Sequence, residues 1–189
     1  MLFRKKRKSV LDFRWDKPIS YYADMFINCG GTKDIGVSLY IDNHFITQIS
    51  FEISQAHKQK TSNCIHIHNL RTDPKYRNMG FGKQLLLHIA SNVRKINKYT
   101  GYDTISISGT LDIRDLPYWK FSLPMYYSFS REIIGPKVVC LLNNEPVEKE
   151  NLVSAAYNIN SQNIAVNFEF TTKKCFLKNK KSPLKKQCH

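Results

Sequence analysis

The first third of the chain alternates hydrophobic and polar residues with the period of two that is typical of β-strands. Ile19 to Asn28 predicts one such strand. Ile35 to Ile41 and His44 to Ile53 continue the alternation, and the turn-forming pair Asp42 and Asn43 lies between them. This part of the chain therefore predicts a β-hairpin with a short connection.

A strand, a helix and a second strand are predicted in the middle of the chain. The polar residues from Ser54 to Asn63 predict a loop, and strict alternation from Cys64 to Leu70 predicts the strand. A helix is predicted from Gly80 to Lys98, with Gly101 as its C-terminal stop. Its apolar stripe consists of Phe81, Leu85, Ile89, Val93 and Ile96. With a strand at Thr104 to Ser108, this segment predicts a right-handed β-α-β unit.

The last part of the chain gives weaker patterns. Ser122 is predicted to cap a short helix that carries Pro124 in its first turn. Lys137 to Leu142 and Ile164 to Phe170 predict strands, and Glu148 to Tyr157 predicts a helix between them. No internal repeat or linker divides this region, so we predict a single domain over residues 11–172.

Charge is concentrated at the two ends of the 189-residue chain. Of the 29 Lys and Arg residues, twelve lie in residues 1–10 and 173–189, which contain no Asp or Glu, so the net charge of +14 belongs mainly to two basic tails. Such tails can hold polyanions through phosphate contacts. They raise the alternative of a protein that contacts RNA or the ribosome.

The five cysteines are odd in number and form no C-x-x-C pair. This usage is typical of a reducing compartment rather than of a disulfide framework or a zinc knuckle. Cys64, His66 and His68 share one strand, whose side chains alone rarely complete a tetrahedral shell, so we predict no metal site. No apolar run reaches the roughly 20 residues of a membrane helix. We therefore predict a cytoplasmic protein without membrane contact.

The segment from Leu70 to Leu86 contains the main candidate for a binding site. A strand ends, the chain turns, and Gly80 and Gly82 open a helix. The first N–H groups of a helix have no partner within it, and the helix dipole adds partial positive charge there. Glycines let a phosphate approach the backbone without a clash with Cβ. The segment therefore predicts a cradle for a diphosphate.

Two common nucleotide-binding motifs do not match this segment. A P-loop places Gly at position 77 and Ser or Thr at position 84, where this chain has Arg77 and Gln84. A Rossmann fingerprint requires a third glycine at position 85, which is Leu85, and an acidic residue about 20 positions further on, which is missing.

The segment does resemble the signature of the GNAT superfamily of N-acetyltransferases. Arg77 to Gly82 is similar to the family motif Arg/Gln-x-x-Gly-x-Gly/Ala. Leu70 to Tyr76 is similar to the element that precedes this motif, with Thr72 where Val is commoner. The resemblance implies an α/β (α+β) fold. Its sheet is mixed, mostly antiparallel and twisted, with a central β-α-β unit whose central strands splay apart.

The resemblance also implies a binding site for acetyl-CoA. The pyrophosphate would be held by backbone amides from Arg77 to Lys83, and the pantetheine arm would pair with backbone at Leu70 and Thr72 in the gap between the two parallel strands. The residues implied in cofactor binding are Leu70, Thr72, Arg77, Asn78, Met79, Gly80, Phe81, Gly82 and Lys83.

For catalysis, the resemblance implies a tyrosine acid and, in some members, a base. The family's spacing from the second strand leads to Tyr118, whereas a helix beginning at Ser122 favours Tyr126, which we place first. His66 lies eleven positions before Arg77, where histone-acetylating members carry a glutamate base. An imidazole titrates near neutral pH and suits this role, and His68 on the same strand face could replace it.

The first hypothesis is therefore an acetyl-CoA-dependent N-acetyltransferase that acts on a primary amine by direct attack. Alternatives are an enzyme of this type acting on aminoacyl-tRNA or a ribosomal protein, and a non-enzymatic CoA-binding module. The amine acceptor, a small molecule or a protein, is left open by the sequence. So is the oligomeric state, for which a homodimer is allowed.

Overall fold

The computed structural model describes residues 18–27, 33–55, 62–162, 164–173 and 176. The basic tails lie almost entirely outside these residues, so their predicted roles stay predictions. The described elements are β1 (Ile19–Ile27), β2 (Lys33–Ile41), β3 (His44–Gln55), β4 (Ser62–Thr72), α1 (Phe81–Thr100), β5 (Asp103–Leu111), α2 (Trp119–Ile134), β6 (Val138–Leu142), β7 (Glu145–Val147), α3 (Leu152–Ser161) and β8 (Val166–Thr172).

All eight described strands form one sheet in the order β1-β2-β3-β4-β5-β8-β6-β7. Every neighbouring pair is antiparallel except β4 and β5, which are parallel and are joined through α1. The predicted fold class is therefore confirmed: a mixed, mostly antiparallel sheet is built around a central β-α-β unit.

Two tight turns join neighbouring strands. Asp42 and Asn43 both have positive φ, 52° and 62°, as the predicted hairpin between β2 and β3 requires. Asn143 and Asn144, with φ of 48° and 69°, form a second hairpin between β6 and β7 that was not predicted. The predicted loop from Ser54 to Asn63 is wrong at both ends, because β3 continues to Gln55 and β4 begins at Ser62. These polar residues adopt strand structure because they pair across the two strands.

The hydrophobic core is continuous between the sheet and the helices. Phe81, Leu85, Ile89 and Val93 of α1 are buried as predicted. The assignment of Ile96 to the same stripe is wrong, since this side chain is 53% exposed. No described side chain of α1 after Val93 is buried, so the helix leaves the core before it reaches Ile96. None of the helices in the described part of the chain is long and apolar enough to span a membrane.

Helix α2 begins at Trp119, so the prediction that Ser122 caps it is wrong. A 3-10 turn precedes the helix, and the Asp112 carboxylate accepts from the Arg114 N–H at its start. Trp119 is buried, and its indole N–H donates to the Asp112 carbonyl at 3.0 Å. Burial of this side chain fixes the helix start four residues earlier than capping by Ser122 would, and leaves Pro124 inside the helix. α3, in contrast, begins later than predicted, at Leu152, which is buried.

Candidate functional site

Strands β4 and β5 separate in the middle of the sheet. They pair from Ser62 and Asp103 to Ile67 and Gly109, and the ladder ends there. β4 then continues to Thr72 against β3 only, while β5 continues to Leu111 against β8 only. The two strands therefore enclose a crevice that opens beyond Ile67 and Gly109, which agrees with the splayed strands predicted from the motif.

A β-bulge lies where the strands part. Asn69 pairs with Ser50 and Ile67 pairs with Phe51, so the register leaves His68 without a cross-strand pair on β3. A bulge bends its strand and increases the local twist. Because His68 directly follows the last β4–β5 pair, the bulge turns the end of β4 away from β5.

The backbone groups of Leu70 and Thr72 face this crevice. The Asp73 N–H donates to the Ile46 carbonyl of β3 at 2.9 Å. Backbone N–H and carbonyl groups alternate in direction along a strand. Those of Arg71 therefore also point toward β3, whereas those of Leu70 and Thr72 point toward the gap. The Thr72 carbonyl there accepts a hydrogen bond from Arg77 Nε at 3.2 Å.

The start of α1 lies at the same end of β4. Gly80 precedes the helix with φ of 86°, and no side-chain hydrogen bond caps it. The first bond of the helix runs from the Gln84 N–H to the Gly80 carbonyl at 3.0 Å, so the N–H groups of Gly82 and Lys83 have no partner within the helix. No heavy atom lies within 4 Å of the point where a Cβ on Gly80 would be. The backbone there is accessible to a ligand.

A cavity of about 1060 Å³ joins the helix start to the crevice. Eight of the nine residues predicted to bind the cofactor line it: Leu70, Thr72, Arg77, Asn78, Gly80, Phe81, Gly82 and Lys83. Met79 does not, because it packs against the hydrophobic core. Both candidate tyrosines, Tyr118 and Tyr126, also line the cavity, but His66 does not.

Arg77 contacts two other residues that line this cavity. Its Nη1 donates to the Tyr118 hydroxyl at 3.1 Å, while its guanidinium carbon lies 5.2 Å from the centre of the Tyr118 ring. With the bond from Nε to Thr72, the side chain connects the end of β4 to the start of α2. Tyr118 itself is 37% exposed. The structure thus brings together two residues that the sequence singled out separately.

Tyr126 occupies a very different environment. It is only 8% exposed, and its ring is stacked on Phe168 with centroids 5.1 Å apart. Burial, and secondarily the charge of Asp115, raise the pKa of the Tyr126 phenol well above its usual value. The reason for placing Tyr126 first was a helix beginning at Ser122, and that reason is wrong.

His66 lies on the face of the sheet that turns away from the hydrophobic core. Its Nδ1 and the Ser108 Oγ are hydrogen-bonded at 3.0 Å. Burial lowers the pKa of the His66 imidazole, His68 lowers it further, and the Glu52 carboxylate opposes both. His66 and Ser108 line a separate cavity of about 210 Å³, and Gly109 and Phe168 contribute to its wall.

His68 forms a cluster with two carboxylates from neighbouring strands. Its Nε2 lies 3.3 Å from Asp34 Oδ1 and 4.0 Å from Glu52 Oε2. These donor atoms lie within 4.8 Å of one another, so the three residues could hold a divalent metal ion. The sequence grouped His68 with Cys64 and His66 and missed both acids. The alternation of polar and apolar residues on β2 and β3 was the only sequence signal for the two acids. Their position beside His68 depends on the register of the sheet.

Comparison with known protein families gives a match. The model of the acetyltransferase (GNAT) family matches residues 7–105, which is more than half of the chain. No similar sequence was found among curated proteins.

Three solved structures are among those with a similar shape. An aminoglycoside acetyltransferase from an uncultured soil metagenomic sample, in complex with sisomicin, is 15% identical over 49% of this chain and 56% of its own, with a TM-score of 0.39. Naa50 of Arabidopsis thaliana, in complex with the bisubstrate analogue CoA-Ac-MVNAL, is 14% identical over 71% and 70%, with a TM-score of 0.41. A GNAT-family acetyltransferase of Streptococcus pneumoniae is 11% identical over 73% and 65%, with a TM-score of 0.40.

This chain spans little more than half the length of the first of these structures. Over the described residues, the mostly antiparallel sheet of eight strands and the three helices match the GNAT fold. With a family model that covers residues 7–105, the chain belongs to the GNAT family of acetyltransferases.

Proposed function

We propose that this protein transfers an acetyl group from acetyl-CoA to a primary amine by direct attack of the amine on the thioester. The observation that carries the proposal is the accessible N-terminus of α1, which faces a crevice between two parallel strands that have separated.

The residues around the cavity fit acetyl-CoA. Amides of the first helical turn and the helix dipole favour a diphosphate, and Arg71, Arg77 and Lys83 add positive charge along the cavity wall. Leu70 turns its backbone N–H and carbonyl into the crevice, where an amide of the pantetheine arm can pair with them. Once bound, acetyl-CoA supplies an activated acyl group. The protein contributes position, proton transfer and exclusion of water.

His66 is suited to take a proton from the amine. In the tautomer in which Nδ1–H donates to Ser108 Oγ, the lone pair of Nε2 is available as an acceptor. Because burial lowers its pKa, the imidazole is neutral at pH 7 and can accept a proton. His66 is one residue away from the last β4–β5 pair, so the crevice opens beside it. An amine on this face can therefore meet an acyl group that lies in the crevice.

Tyr118 is the better candidate to protonate the departing thiolate. It reaches the cavity from the start of α2, and its exposure allows the phenol to regain a proton from solvent after each turnover. Tyr126 is a weaker donor, because its buried phenol has a raised pKa. Its stacking on Phe168 instead supports the wall between the two cavities.

Phenylalanine at each tyrosine tests the proposed function and this assignment together. We expect Tyr118→Phe to lower kcat by roughly 10²-fold, since general acid catalysis contributes about 10²- to 10⁴-fold. Tyr126→Phe should stay within a few-fold of wild type. The measurement is CoA thiol release from acetyl-CoA with a panel of primary amines, with mass spectrometry of the acetylated product.

The two variants serve as controls for each other, because each removes one hydroxyl from the same cavity. The reverse pattern, with only Tyr126→Phe inactive, would show that the buried tyrosine is the acid. If wild-type protein transfers acetyl to none of the amines, the proposed function is wrong.

A further inference from the structure

Four polar side chains lie in one row across the centre of the sheet. Glu52 on β3 pairs with His66 on β4, His66 with Ser108 on β5, and Ser108 with Glu169 on β8. Cross-strand partners share a face, so all four point away from the core that holds Ile65 and Ile67. The row thus places a carboxylate on each side of the His66–Ser108 pair.

The smaller cavity lies over the β5–β8 part of this row. His66, Ser108 and Glu169 line it together with Asn144 and Asn167. The turn that carries Asn144 is held firmly, because the Asn143 N–H donates to the Asn167 carbonyl at 2.9 Å and the Asn167 N–H donates to Asn143 Oδ1 at 2.8 Å. The backbone of this wall is therefore held in place.

Glu169 gives the cavity a negative charge. Its Oε1 accepts from the Ser106 hydroxyl at 2.7 Å. A carboxylate has about four acceptor sites, so this bond leaves capacity for another donor. No ion pair to Glu169 occurs within the described residues. A partly buried carboxylate of this kind attracts an ammonium group.

We infer that the acceptor of this enzyme is an aliphatic diamine or polyamine, and that Glu169 binds the ammonium group that is not acetylated. The inference rests on the proposed function, because the reactive amine must lie at His66 beside the crevice. His66 and Glu169 are two strands apart, which is about 10 Å between backbones. An acceptor with two amines at the ends of a flexible chain can reach both residues, whereas a monoamine leaves the Glu169 carboxylate without a second ligand.

The test compares α,ω-diaminoalkanes of increasing length with monoamines of the same chain length. Wild-type protein should acetylate one diamine with a kcat/KM at least tenfold above that of the matched monoamine. Glu169→Gln should lower kcat/KM for the diamine about tenfold and leave the monoamine within twofold, since only the diamine carries the second charge. The control is Glu145→Gln, an exposed carboxylate of β7 outside both cavities.

Stabilisation by acetyl-CoA, measured by thermal shift, shows whether Glu169→Gln has kept the cofactor site intact. Equal loss for both substrate types, or no loss for either, would overturn the assignment of Glu169. Acetyl transfer without any preference for diamines would overturn the inference and leave the proposed function standing. Failure to acetylate any amine would overturn both.

Discussion

Valine in place of Gly80 should abolish the stabilisation of this protein by acetyl-CoA. Gly80 lines the large cavity directly before α1, and the space that a Cβ would enter there is open. A branched side chain would occupy the position that a diphosphate needs to reach the helical amides. At a ligand concentration of 100 times Kd, binding stabilises a protein by about 2.7 kcal/mol. For a chain of this size that corresponds to roughly 5 to 10 °C in Tm.

Gly101 provides a matched control at the other end of the same helix. It also has a left-handed φ, 70° against 86° for Gly80, and a Cβ added to it would likewise have no heavy atom within 4 Å. Gly101→Val should therefore cost a similar few kcal/mol of backbone strain while keeping the full acetyl-CoA shift. Thermal denaturation of each variant with and without acetyl-CoA separates strain from binding. An undiminished shift in Gly80→Val would contradict the cradle.

Alanine in place of Gly109 should destabilise the protein strongly. A Cβ there would lie 2.7 Å from Phe168 Cζ and 2.8 Å from the Ile67 carbonyl oxygen. The oxygen belongs to the backbone of the last β4–β5 pair, so it cannot rotate away. Overpacking of this kind costs about 1 to 3 kcal/mol or more. By the same principle we expect a loss of about 3 kcal/mol in the free energy of unfolding.

Urea denaturation measures this loss, and Gly82→Ala is the control. The three heavy atoms nearest to a Cβ on Gly82 belong to the Met125 and Leu70 side chains and lie at 3.6 Å or more, which is ordinary contact. That variant should keep or slightly raise stability, because alanine favours helix over glycine by about 1 kcal/mol. If Gly109→Ala unfolds at the same urea concentration as the wild-type protein, Phe168 and Ile67 do not approach Gly109 as closely as described.

The central β-α-β unit was predictable because local patterns and long-range packing agree there. Alternation over Cys64 to Leu70 and the stripe from Phe81 to Val93 each indicate one element, and both bury the residues expected. The glycines at 80 and 82 mark a helix start whose binding properties depend only on residues adjacent in the sequence. The part of the large cavity at the end of β4 and the start of α1 follows from these features, since eight of the nine residues predicted to bind the cofactor line it.

Features that depend on partners far away in the sequence were not predictable. The start of α2 is decided by burial of Trp119 in the core rather than by the capping potential of Ser122. The bulge at His68 exists only relative to the register of β3. Glu169 comes beside Ser108 through pairing of strands that lie far apart in the sequence, so no spacing along the chain points to it.

Amide spectra of ¹⁵N-labelled protein during a CoA titration test most directly whether the start of α1 binds the diphosphate of acetyl-CoA. The N–H groups of Gly82 and Lys83 have no partner within the helix, so a bound diphosphate must change their surroundings. We expect the largest shifts at Gly82 and Lys83 and smaller ones at Leu70, while Gly101 stays unchanged. Saturable CoA binding that leaves Gly82 and Lys83 unshifted would contradict this binding mode.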